Sequence, residues 1–336
     1  MEKNNPGQVE WARKAESLAK SGDYKGAIGS LENALKISPA DGSLHFRKSC
    51  YLEKSGSIDQ AIKAIEMAVM YSPQDHSVHS HYALLMYRKG FCDMALGHID
   101  QAIHLKYQSP LFHLRRSLIL EKLGLPHAAL QAAQRGAELG PNDPASHTQL
   151  AHLALKLSRR DQALAAIDAA IKLDPKAGLL RYRKSAILQQ SGDLTAALEE
   201  SRQAMGLAGH LPEVLLHHSA LLLSAARYDE ALMYLDKVIA LKPTDAALLF
   251  QKSRALSAKG ELDEAIEVAS SGAALAPASS DGYALLASLY RAQGDLKKAQ
   301  LCIDNALRLS PGNSKLLPIK EEIRMQQSSK KPHKSK

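Results

Sequence analysis

Histidine and cysteine are the residue types here that could hold a metal or supply a nucleophile, and the 336-residue chain has 14 of the first and 3 of the second. Their spacing argues against both chemistries. His76, His79 and His81 ("HSVHSH") fall at i, i+3 and i+5 near the start of one helical stretch, which does not bring three ligands to one face, and no Cys is close. His45, His79, His113 and His147 recur every 34 residues. They are expected to pack between helices, with a pH-sensitive seam as the other reading. Cys50 lies beside Arg47 and Lys54, charges that would lower a thiol pKa, although a buried or simply exposed thiol is the expectation. There is no Walker loop, no G-x-S-x-G, no H-E-x-x-H and no C-x-x-C. The chain is expected to be non-catalytic, with no cofactor and no metal.

The chemistry the sequence does offer is charge recognition. Residues 44–50 read "LHFRKSC", and near copies follow at 112–118 ("FHLRRSL"), 180–186 ("LRYRKSA") and 248–254 ("LLFQKSR"). Phe46, Leu114, Tyr182 and Phe250 share one slot, 68 residues apart. Duplication of a two-repeat block accounts for this, or the Arg and its aromatic neighbour form a recurring ligand contact.

The elements that must position these residues follow from a shorter interval. Pro39, Pro73, Pro141, Pro175, Pro243, Pro277 and Pro311 lie on one 34-residue grid, whose two empty points are Tyr107 and Gly209. Nine units result, at 8–41, 42–75, 76–109, 110–143, 144–177, 178–211, 212–245, 246–279 and 280–313. Each reads as two helices. The first closes near unit position 15, which is Gly in seven units and Ser158 or Ala226 in the others; Gly reaches the left-handed conformation without steric cost. Asp commonly follows and suits the start of the next helix. Position 20 is Ala in all nine units, position 8 is always Ala or Ser, and position 27 is Ala or Gly except at Val238. Small residues there let two helices approach closely, with larger apolar residues at positions 11 and 24 on the flanks.

This pattern resembles the tetratricopeptide repeat family, most closely in the first unit (Trp11, Gly22, Tyr24, Ala27, Ala34, Pro39), over about nine tenths of the chain. The resemblance implies an all-α fold, an α-solenoid in which helix–turn–helix repeats stack into a right-handed superhelix and the first helices line an inner groove. Residues 1–7 would be an N-terminal extension, 314–327 a capping helix with a polar outer face, and 328–336 a disordered basic tail. Position 7, often Leu in the family, is Lys14, Lys48, Arg116, Lys184 and Lys252 in five units. Their stems can pack while the charge reaches water.

On the inner face, position 6 includes Arg13, Arg47, Arg115 and Arg183. Position 13 runs Lys20, Lys54, Arg88, Lys122, Lys156 and then stops at Gln190. Repeats 1–5 thus carry eight basic and three acidic inner residues (Glu16, Glu53, Glu121), against three and two in repeats 6–9, whose interior is more apolar (Leu216, Leu223, Phe250). Chaperone-binding members of the family hold a C-terminal carboxylate with Lys and Asn on inner faces. The repeat arm of O-linked N-acetylglucosamine transferase uses an inner Asn ladder. No first helix here contains Asn, so neither residue set is present.

Composition bounds the rest. The chain is 45% hydrophobic and 23% charged, enough apolar content for a core, while aromatics at 5% favour helix over strand. No 18-residue apolar run or signal-peptide pattern occurs. The sparse, odd cysteine set suits a reducing, cytoplasmic setting. Net charge is +8, about half of it from Lys330, Lys331, Lys334 and Lys336. The expected function is a protein-interaction scaffold or adaptor that binds an acidic or extended partner segment, mainly through repeats 1–5. Repeats 6–9 would take a second partner or self-associate. The alternatives are polyanion binding, to nucleic acid or acidic polysaccharide, and an accessory subunit of a larger enzyme such as a glycosyltransferase assembly. Interspersed Glu and the lack of a stacking platform count against nucleic acid.

Overall fold

The structure, a computed structural model, describes residues 6–329. Among them it is all-helical. The first helices of the repeats are α1 (Pro6–Lys20), α3 (Gly42–Lys54), α5 (His76–Lys89), α7 (Pro110–Lys122), α9 (Pro144–Lys156), α11 (Gly178–Gln190), α13 (Pro212–Ser224), α15 (Ala246–Lys259) and α17 (Ser280–Gln293). Their partners are α2 (Tyr24–Ile37), α4 (Ile58–Tyr71), α6 (Cys92–Leu105), α8 (Pro126–Leu139), α10 (Arg160–Leu173), α12 (Leu194–Ala208), α14 (Tyr228–Leu241), α16 (Leu262–Leu275) and α18 (Leu296–Leu309), followed by α19 (Leu316–Ser329). The chain divides into two compact units at the Asp174–Pro175 junction. Within the first, α1 to α10 stack in order; within the second, α11 to α19 do so. Among the described residues no helix is long and apolar enough to cross a membrane.

Every first helix closes through a left-handed residue. The seven glycines at position 15 have φ between +76° and +97°, and Ser158 (φ 58°) and Ala226 (φ 57°) adopt the same region despite their Cβ. The repeat geometry therefore overrides the local preference at two positions. Asp23, Asp193 and Asp295 cap their second helices by accepting the N–H three residues on. Asp41, Asp75, Asp143 and Asp245, at position 34, cap first helices by accepting the N–H two residues on, and Asp41 and Asp143 also take the next one. At Gly209, where no Pro stands, α12 runs one residue further along the repeat than its counterparts.

The small positions lie at the helix-pair seam. All nine Ala at position 20 have no exposed area, from Ala27 to Ala299. Leu31, Ile65, Ile99, Ile167, Leu235 and Ile303, at position 24, are buried beside them. In repeat 6 the same position is Ser201, whose hydroxyl meets His218 Nδ1 at 2.9 Å. Where position 8 is Ser, the hydroxyl can tie the two helices directly: Ser49, Ser185 and Ser253 each donate at 2.7 Å to the carbonyl of the position-20 Ala.

The final helix covers the end of the second unit with Leu316 and Ile323 and is held by Lys320–Asp304 at 2.8 Å. Its outer face is polar except for exposed Leu317 and Met325. It runs through Ser329, two residues into the stretch expected to be disordered; 330–336 and 1–5 lie outside the described residues.

Candidate partner-binding face of the first helices

The phrase "FRKS" resolves into separate inter-helix ties. Its second basic residue, at position 7, is half-buried and is not simply solvated. Lys48, Arg116 and Lys252 instead pair with carboxylates sixteen residues back on the preceding repeat's second helix: Glu32 at 2.8 Å, Asp100 at 2.6 Å and Asp236 at 2.8 Å. Lys184 pairs with Glu200 of its own repeat at 2.7 Å. The Ser holds the helix pair, as above. It also accepts from the next repeat: His81 Nε2 lies 3.1 Å from Ser49 Oγ, and His217 Nε2 lies 2.9 Å from Ser185 Oγ. Each of those imidazoles receives the preceding aromatic edge-on, Phe46 on His81 and Tyr182 on His217. The fourth copy departs: Phe250 is buried, its ring filling the space a Cβ on Gly272 or Gly282 would need, so it does not line the inner face.

Histidines at position 4 have one shared role. His45, His79, His113 and His147 each place Nε2 2.8–3.1 Å from the carbonyl six residues earlier, on Pro39, Pro73, Tyr107 and Pro141. That bond ties the inter-repeat turn to the next helix. His79 Nδ1 also meets His98 Nδ1 at 3.2 Å. Cys50 is not activated. Burial, then the charge of Glu53, push its thiol up to about 11, outweighing Lys54 and Arg115.

The nine basic residues singled out from the sequence divide by unit. Eight lie in the first and Arg183, exposed on α11, in the second. Within the first, three glutamates organise the set. Glu16 takes Lys20 and Arg47, both at 3.0 Å; Lys20, ahead of Arg47, holds its carboxyl below the ordinary range. Glu53 takes Arg88 at 2.5 Å and faces His81 at 3.8 Å. Burial alone would raise the Glu121 carboxyl, but hydrogen bonds from Gln149, His152 and Lys156 hold it below its usual value. Arg115 is a structural tie, donating to the Ser80 carbonyl at 2.9 Å and hydroxyl at 2.5 Å. His81 is buried.

Lys54 and Lys122, 68 residues apart, remain exposed, and among the described residues neither has a carboxylate in salt-bridge range. Each ammonium lies over an aromatic ring: Lys54 over Tyr24 at 5.7 Å, Lys122 over Tyr87 at 4.6 Å. Lys122 Nζ also donates to the Tyr87 carbonyl at 3.0 Å. Arg13 is exposed on α1. Tyr24 entered the sequence pattern only as a repeat residue and Tyr87 not at all; they lie 30 and 35 residues from their lysines, and only the stacking of repeats brings them together. In the second unit, the corresponding face forms a cleft of about 480 Å³ lined in part by Tyr182, Leu216, His217, Leu223, Glu213 and Arg254.

Tetratricopeptide repeat family models match residues 18–85, 222–289, 83–144, 148–208 and 280–313. The chain belongs to the tetratricopeptide repeat family. Among curated proteins, the human protein O-mannosyl-transferase TMTC1 is 29% identical over 126 residues, which span 38% of this chain and only 14% of that protein. Among solved structures, the chain resembles an APC/C hetero-tetramer, Cut9–Hcn1 (TM-score 0.55, 13% identity, 92% of this chain, 64% of that one). It also resembles the type IV pilus biogenesis factor PilW (TM-score 0.58, 18% identity, 62% and 97%). A tetratricopeptide repeat protein from Parabacteroides merdae is similar too (TM-score 0.57, 15% identity, 70% and 93%). At these identities the structural likenesses show the fold alone.

Proposed function

We propose that this protein is a non-catalytic scaffold or adaptor, working in the cytoplasm, that holds an acidic, extended segment of a partner protein on the first-helix face of repeats 1–5. The carrying observation is the pair Lys54 and Lys122. Most of the other cations on that face are paired with Glu16, Glu53 or Glu121. Among the described residues these two have no carboxylate in salt-bridge range; each rests on a ring, and Lys122 also on the Tyr87 carbonyl, neither of which neutralises the ammonium. Arg13 extends the same face. A segment with carboxylates in the matching register would exchange water for charge-assisted hydrogen bonds. The cleft of the second unit, with Arg254 and Glu213 among apolar side chains, suits a second partner or a second copy of this chain.

The test is a crosslinking pull-down from the host's lysate, wild type beside Arg13→Glu/Lys54→Glu/Lys122→Glu, with nuclease-treated controls. A protein captured by wild type and lost in the variant supports the reading. Equal capture moves attention to the second unit, and loss on nuclease treatment alone favours a nucleic acid. A second reading, an accessory repeat subunit of a glycosyltransferase assembly, is favoured by the likeness to the O-mannosyl-transferase. Co-purification with a glycosyltransferase would support it.

A further inference from the structure

The turn between the two helices is polar at position 16 in seven repeats: Asp23, Ser57, Arg159, Asp193, Arg227, Glu261 and Asp295. Repeats 3 and 4, which are neighbours, place Phe91 and Leu125 there instead. These two residues are the N-caps of α6 and α8, where an apolar side chain offers nothing to the open N–H groups and a polar one would serve better. Phe91 is 54% exposed and Leu125 49%. Met94, one turn into α6 where a capped helix would present its N3 residue, is 51% exposed. A single exposed apolar residue needs no account, but three on one edge, two of them at cap positions, form a patch that folding does not require.

The patch adjoins the cations discussed above. Arg88 and Lys122 each precede an apolar cap by three residues, and the Lys122 bond to the Tyr87 carbonyl joins the two edges. Lys89 is occupied by Asp59 at 2.7 Å, and Asp93 is the carboxylate within the patch itself. Packed helices lie roughly 8–10 Å apart. Residues i and i+7 of an α-helix are separated by about 10 Å. One side of a helix could therefore place apolar residues on both repeats while its acidic flank faces Lys122; Arg88 is already paired with Glu53.

We infer that the turn edge of repeats 3 and 4, with Phe91, Met94 and Leu125 beside Lys122, seats the apolar stripe of an acidic amphipathic helix from a partner protein. The inference rests on the proposed reading of the ladder and adds the apolar half of the recognition.

The test uses the full chain and two synthetic probes: a helical peptide with Leu at i, i+3 and i+7 flanked by Glu, and an extended peptide of equal charge without apolar residues. The variant is Phe91→Asn/Leu125→Asn, which adds neutral capping residues and no charge. Its melting temperature should equal or exceed that of wild type, which separates a binding defect from a folding one. The amphipathic peptide should bind wild type and lose at least tenfold in affinity to the variant, while the charge-only peptide changes by less than twofold. Equal affinity of the amphipathic peptide for both proteins, or no binding to wild type, would overturn the inference. If both peptides bind and neither responds to the variant, the ladder reading stands and this one falls. Binding of anionic phosphatidylserine vesicles, lost in the variant while neither peptide binds, would make the edge a membrane contact and overturn it as well.

Discussion

His81 Nε2 lies 3.1 Å from Ser49 Oγ across the boundary between repeats 2 and 3, and the same hydroxyl donates at 2.7 Å to the carbonyl of Ala61. The single hydroxyl proton is spent on Ala61, so His81 must be the donor to Ser49. One buried Ser thus joins three helices. Ser49→Ala removes both bonds and leaves a buried imidazole N–H without its acceptor, at a cost of about 1–3 kcal/mol. Urea unfolding should show the loss. Ser185, which stands in the same relation to Ala197 and His217, should behave alike.

Ser158 and Ala226 hold a left-handed backbone that glycine occupies in the other seven repeats. Ser158→Gly and Ala226→Gly should each stabilise the protein by about 0.5–1 kcal/mol, the relief of Cβ crowding exceeding the added freedom of the unfolded chain. Gly90→Ala should destabilise by a similar amount, since nothing lies within 4 Å of its would-be Cβ and only the φ of +88° opposes it. Thermal melts of the three variants check both signs.

Burial, the largest cause in each case, lowers the pKa of His81, His98, His113, His217 and His218 below the ordinary 6.5. A folded state that binds protons less readily than the unfolded chain is favoured above the unfolded pKa and loses that advantage as pH falls. The melting temperature should therefore drop between about pH 7 and pH 5, before the carboxylates titrate. His98→Gln should reduce the slope.

Reversing the charge ladder is not uniformly harmless. Arg88 faces Glu53, which is only 14% exposed, so Arg88→Glu sets two carboxylates together and should cost about 1–2 kcal/mol. Lys54→Glu meets no carboxylate in salt-bridge range among the described residues and should stay within about 0.5 kcal/mol of wild type. Binding variants are therefore best built on Lys54 and Lys122, with circular dichroism melts as the control.

Ala163 has no exposed area and stands at the seam of α9 and α10. Ala163→Leu should overpack that seam at a cost of about 1–3 kcal/mol, read from denaturant midpoints. Ala165→Leu is the control, because residue 165 is exposed on the same helix.

Much of the helix framework was legible in the residues because it depends on local sterics and short-range hydrogen bonds. A left-handed closure at position 15, a Pro just past the second helix and an invariant Ala at position 20 each act within their own repeat. The register follows from their spacing, and even the two non-glycine closures fall where the grid puts them. The charge ladder was legible as a list of side chains but not as a surface. Apart from Lys20, which pairs with Glu16 one turn away, the state of each cation depends on residues about 30 positions away, brought alongside by stacking: Glu121 against Lys156, Glu53 against Arg88, Tyr24 beneath Lys54. The same cause decided Cys50, whose cationic neighbours in sequence are outweighed by burial and Glu53, and Phe250, whose ring has turned into the helix seam. Sequence alone determined where the helices begin, end and touch. Tertiary structure decided which side chains remain free to meet a partner, because desolvation and pairing are set by neighbours that the chain reaches only after a full repeat.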